Sequence, residues 1–180
     1  MGVRGVLASQ PSASAIIFPE IFWKCDPSDE EAGSDMLRFT EDMRIGHLVI
    51  DADHQRLIEI INQFAEASTV HTLFEGAAPS DCATVMHQTL KSLIAYTKEH
   101  FAKEEKIQRE CMYQYHAMHV QEHHALVVQL EEIARTYFVR KSKPLNRKAL
   151  EELREFMNFW LVNHVMKFDS NMREWVCPKE

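Results

Sequence analysis

A chain of 180 residues, 46% hydrophobic and 26% charged, has room for one domain with a sizeable core and little else. Its 27 acidic against 20 basic side chains give a formal charge of −7, which argues against a nucleic-acid backbone or an anionic membrane surface as main partner, since either selects a basic face. Cys25, Cys82, Cys111 and Cys177 form no CxxC pair and no run reaches the roughly 18 apolar residues of a membrane span, so zinc ribbons, thioredoxin-type chemistry and a transmembrane helix are disfavoured.

In chain order, residues 1–35 collect Gly2, Gly5, Pro11, Pro19, Pro27 and Gly33 and read as an N-terminal extension ahead of a domain over 36–177. Only Arg4 precedes a broken apolar stretch, a poor secretion signal, so the reducing cytoplasm is the expected compartment. From Gly46 onward breakers are few and the periodic segments are too long for strands. Leu57, Ile58, Ile61, Phe64 and Ala65 recur at helical steps, and His54 sits on the same stripe. A second helix, starting near Ser80-Asp81, carries Met86, Leu90, Leu93 and Thr97 and runs on into His100 and Glu104. After a turn near Cys111 to Tyr115, His119, His123, Leu126, Val127, Leu130 and Ala134 form a third stripe. Beyond Pro144, Leu150, Leu153, Met157, Trp160, Leu161, His164, Val165 and Phe168 form the fourth. Four helices of about 18 to 26 residues on short connections predict an all-α, antiparallel up-and-down four-helix bundle.

A lone histidine on an apolar face is ordinarily a hydrogen-bonded core residue. Here the set matters, because every inward stripe carries imidazole: His54; His100 with Glu104; His119 with His123; His164 with Asp169. Five imidazoles and two carboxylates buried without a partner would cost several kcal/mol, a cost that metal ions remove. Residues four apart lie about 40° from eclipsed, so His100/Glu104 and His119/His123 each point one way. His164 and Asp169 are five apart, roughly 140° on a regular helix, so the spacing predicts a π-turn or bulge between them; otherwise Asp169 stays on the surface and the site has six ligands. Imidazole and carboxylate without thiolate suit iron, copper, nickel or zinc, and seven groups exceed one tetrahedral zinc. Two octahedral ions sharing both carboxylates and a solvent-derived oxygen fill about eleven of roughly twelve positions, leaving one open for a small neutral ligand such as dioxygen.

Ile50-Asp51-Ala52-Asp53-His54 followed by Leu57, then His100-Phe101-Ala102-Lys103-Glu104-Glu105, His119-x-x-x-His123 and Trp160-Leu161-x-x-His164-x-x-x-x-Asp169 arrive in an order that resembles the bacterial hemerythrins over about residues 36 to 177. That resemblance implies a non-haem di-iron centre (Fe2+/Fe3+, with an oxo or hydroxo bridge) that binds O2 reversibly for transport, storage or sensing, and is not an enzyme. It also implies the division of ligands: His119, His123 and His164 on one iron, His54 and His100 on the oxygen-binding iron, Glu104 and Asp169 bridging. Leu57, Phe101, Trp160, Leu161 and Val165 would wall the oxygen pocket against water.

The chain departs from the family at Phe39, where Trp is usual, at Asp53, where Gln is common, and at Gln108, where Met is common. His116 lies one turn before His119 and could replace it. His47, His71, His87, His116 and His124 otherwise read as surface or capping groups, and Glu105 as solvated. The alternative function is a di-iron oxidase or nitric-oxide-handling enzyme, although the Glu-x-x-His motif of ferritin-like oxidases is absent from the chain. A sensory version would call for an output domain, for which 180 residues leave no room. The expected partners are dioxygen and an oxygen-consuming enzyme, with the chain a monomer or weak oligomer.

Overall fold

The computed structural model describes residues 36–73 and 80–176; the predicted extension over 1–35, Cys25 and Cys177 lie outside the described residues. A 3-10 turn at Glu41–Met43 leads into α1 (Leu48–Leu73), followed by α2 (Ser80–Glu110), α3 (His116–Ile133), α4 (Arg147–Lys167), a 3-10 turn at Asp169–Met172 and the short α5 (Arg173–Val176). No strand occurs among the described residues. The helices α1 to α4 form the up-and-down bundle, and α2, at 31 residues, exceeds the predicted range.

Local chemistry sets the helix ends. Asn146 caps α4, its Oδ1 accepting from the Ala149 amide at 2.9 Å, in the residues just after Pro144. At the end of α2 the Met112 amide donates to Arg109 O at 3.2 Å and the Tyr113 amide to Gln108 O at 2.9 Å. This pair of bonds is a Schellman closure, and it holds Met112 at φ 54°, a place glycine usually takes. The third helix does not stop at Ile133; it continues as a π-helical segment over Ala134–Val139.

All four stripes face one core. Leu57, Met86, Leu90, Leu93, Leu130 and Val165 are completely shielded, and Ile61, Phe64, Leu150, Leu153, Met157 and Leu161 nearly so. Phe39, at the position where the resemblance has Trp, packs half-buried against this core. The polar residues of the stripes are segregated along the bundle. They lie near the start of α1, in the last third of α2, in the first turns of α3 and in the last turn of α4, so alternating helix direction brings them to one end.

Candidate metal centre

The entry to α1 is clamped by Asp51, whose two carboxylate oxygens accept from the Ile45 amide at 2.7 Å and the Gly46 amide at 3.0 Å. The loop can fold back in this way because Gly46 adopts φ 89°, in the left-handed region open to glycine. One turn later His54 is fully buried.

His164 ends the other side of the site, and the predicted π-turn after it is not what joins it to Asp169. The Phe168 amide keeps an ordinary bond to His164 O at 2.8 Å, the α-helix stops at Lys167, and a 3-10 turn begins at Asp169. A new helical turn restarts there, so the regular 100° step does not carry across Phe168, and Asp169 turns inward with no exposure. Asp169 is therefore not the surface residue of the alternative reading. The π geometry falls instead on Ala134–Val139, closed by Arg140 N to Arg135 O at 2.8 Å.

The five imidazoles turn their Nε2 atoms toward the two carboxylates. His119 Nε2 lies 3.1 Å from Glu104 Oε1 and 3.0 Å from Asp169 Oδ1. His54 reaches Asp169 Oδ2 at 3.1 Å and His164 reaches Oδ1 at 3.1 Å. His100 and His123 stand 3.4 and 3.5 Å from the Glu104 carboxylate. None of these Nε2 atoms has a hydrogen-bond partner, nor do Glu104 Oε2 and both Asp169 oxygens. His119, and not His116, occupies the site.

Burial holds His123 down to about 3 and pushes His100 down as well, so both are neutral imidazoles. Burial opposes ionisation of Asp169, but His164, His119 and His54 around it keep its carboxyl well below the usual range. Burial and the charge of Asp169 push Glu104 up. The Nε2 atoms of His100 and His123 face the Glu104 oxygens in a dry interior with no proton to share, and a cation between them makes the same geometry attractive. The donor atoms form two overlapping groups, His119, His123, His164, Asp169 and His54, His100, Glu104, Asp169, each with all atoms within 4.8 Å of one another. Imidazoles with carboxylates and no sulfur fit a pair of iron ions.

The sequence profile of the Hemerythrin HHE cation binding domain matches residues 46–176. The chain belongs to the hemerythrin family. A bacteriohemerythrin of Stenotrophomonas maltophilia (strain R551-3) is 27% identical over 135 residues, 75% of this chain and 78% of that protein. One of Pseudomonas aeruginosa (strain LESB58) is 28% identical over 134 residues, 74% of this chain and 77% of its own length. A solved hemerythrin carrying a leucine-to-tyrosine substitution has the same fold, with a TM-score of 0.61 and 21% identity over 79% of this chain and 98% of that one.

The residues that resemblance to hemerythrins assigns to the oxygen pocket, Leu57, Phe101, Trp160, Leu161 and Val165, are all buried core. Phe101 makes ring contacts to the centre. Its ring stacks on His123 at 3.7 Å and 6°, and its centroid lies 5.4 Å from that of His164 and 5.5 Å from that of His100. A surface cleft of about 260 Å³ beside Tyr113, Met118, Lys167 and Phe168 reaches His119, and none of the five lines it.

Groups behind the hemerythrin ligands were not foreseen as such. Glu105, expected to be solvated, is partly buried and stands 3.0 Å from His123 Nδ1. Asp53 accepts from Tyr96 at 2.7 Å and Lys103 at 3.3 Å, and its other side faces His100 Nδ1 at 3.5 Å. Burial opposes its ionisation, but the hydrogen bonds of Tyr96 and Lys103 and the facing His100 ring hold the Asp53 carboxyl far below the usual range. His116 is half-buried and contacts Gln108 at 2.8 Å, a side-chain partner that the reading of a surface or capping group did not include. A signal existed for two of these: Gln108 prolongs the inward stripe four residues past Glu104, and Asp53 sits between Ile50 and Leu57 on the apolar face of α1.

Proposed function

We propose that the chain binds dioxygen reversibly at a non-haem di-iron centre, a step that serves transport, storage or sensing and that suits delivery to an oxygen-consuming enzyme. The observation that carries this reading is the inequality of the two overlapping groups: three imidazoles in one, two in the other, with Asp169 in both. The assignment follows that inequality. His119, His123 and His164 would hold one iron, His54 and His100 the other, with Glu104 and Asp169 shared between them. A bound iron pair supplies the electrons that hold the gas.

The protein's own residues supply selectivity and protection. One nitrogen fewer on the His54/His100 side leaves room there for a small neutral molecule. Leu57, Phe101, Trp160, Leu161 and Val165 exclude water and so deprive the site of the protons that would drive loss of reduced oxygen. Glu105 bonds the outward nitrogen of His123 and Asp53 faces that of His100, the kind of support that keeps imidazole ligands oriented.

The test is optical. The anaerobically reduced, iron-loaded protein should gain charge-transfer absorption on exposure to air and lose it again when oxygen is removed. Steady consumption of oxygen with turnover of a reductant would instead establish an oxidase.

A further inference from the structure

We propose that Gln108 is a positioning residue of the metal centre, its side-chain amide orienting the Glu104 carboxylate and setting how much charge that carboxylate donates. The proposal rests on the di-iron reading above and concerns a residue outside the seven donors.

Gln108 is completely buried. Its Nε2 donates to Glu104 Oε1 at 2.8 Å, on the oxygen that also faces His119 and His123. The same nitrogen lies 3.2 Å from Met172 Sδ, in the 3-10 turn that carries Asp169. The amide oxygen lies 2.8 Å from His116 Nδ1, at the start of the helix that carries His119. One amide thus ties together the three segments that hold Glu104, Asp169 and His119.

The chemistry allows only one orientation. A carboxylate that holds metal is ionised and accepts only, so in the loaded site the amide nitrogen must face Glu104 and the amide oxygen His116. His116 then carries its proton on Nδ1 and donates it, which makes it the key that keeps the amide from flipping. An amide has no proton to give up near neutral pH, so the chain His116, Gln108, Glu104 orients and polarises and does not relay protons. A donor on Glu104 Oε1 draws electron density away from that oxygen and fixes the rotation of the carboxylate, which would weaken its preference for ferric over ferrous iron. Methionine, the residue that hemerythrin resemblance leads one to expect here, fills similar space with no N–H to offer.

The experiment uses the full chain loaded anaerobically with Fe(II), comparing wild type, Gln108→Met, His116→Ala and the double variant. The readouts are iron stoichiometry, rate of iron loss to a bipyridyl chelator, and reduction potential of the centre. Gln108→Met should lose iron about 10- to 100-fold faster and shift the potential to more negative values. His116→Ala should shift both in the same direction by less, and should add nothing in the Gln108→Met background, because it acts through the amide. Release rates within twofold of wild type with an unmoved potential in Gln108→Met, or a full additive effect of His116→Ala in the double variant, would overturn the proposal. If Gln108→Met does not fold, His116→Ala alone decides, and an unchanged potential there sinks it. A wild-type protein that takes up two irons but does not bind oxygen reversibly defeats the functional reading and leaves the release rates to judge Gln108.

Discussion

At the scale of single residues the two sides of the site make separable demands. His54 is the sole donor that α1 contributes, and it belongs to the group with two imidazoles. His54→Ala should therefore lower bound iron from two per chain toward one and abolish oxygen uptake, while the His119, His123 and His164 side still holds metal. Iron analysis with gas titration checks this, and full oxygen uptake by the variant would show that the division of donors is wrong. The apolar wall is tested by changing polarity without shape. Val165 is fully shielded next to His164. Val165→Thr keeps the branched outline and adds one hydroxyl, so autoxidation should quicken about tenfold, as expected for a changed outer shell. An unchanged half-life of the oxygenated protein would remove Val165 from the pocket.

At the scale of elements, the stripes were legible because a helix packed on one side must repeat its apolar positions every three or four residues, and imidazoles that interrupt such a stripe are conspicuous. The link from His164 to Asp169 was legible only in part. Spacing showed that a regular helix could not align them, but a π-turn and a break into 3-10 geometry answer that need equally well. The deciding bond, Phe168 N to His164 O, depends on packing of the C-terminal turn, where Met172 is fully buried. The supports Glu105 and His116 were harder to see because each reaches its partner in another element, at separations no periodicity encodes, whereas Gln108 lies one turn past Glu104 on the same stripe. A helix cap gives a clean stability test. Asn146→Ala removes the one bond its side chain makes to the Ala149 amide, at the end of α4 remote from His164. The cost should be about 1 kcal/mol, read as a fall in Tm of about 2–4 °C with iron content unchanged. Loss of iron in that variant would mean that α4 transmits disorder along its whole length to the centre.

The described bundle is divided along its axis, with a dry apolar half around Phe64, Met86, Leu90, Leu130 and Leu153 and a polar half where donors from α1, α2, α3 and α4 converge. The apolar half alone can hold the helices together, since each buried leucine there would cost about 2–5 kcal/mol to truncate. The polar half without metal sets unpartnered nitrogen against unpartnered oxygen from four helices at once. Iron should therefore stabilise the bundle without being required for its helices. Metal that binds the folded chain and not the unfolded one contributes about 4 kcal/mol per ion at a thousandfold excess over Kd. In a domain of this size 1 kcal/mol moves Tm by about 2–4 °C, so one ion is worth a shift of about 8–16 °C and a pair more. Chelator-treated protein should keep its far-ultraviolet helical signal at room temperature, melt well below the loaded form, and regain the higher Tm when Fe(II) is restored anaerobically. Coincident melting curves for the two forms would show that the donors do not bind metal tightly in the folded state. Loss of the helical signal on chelation would show instead that the apolar half does not stand on its own.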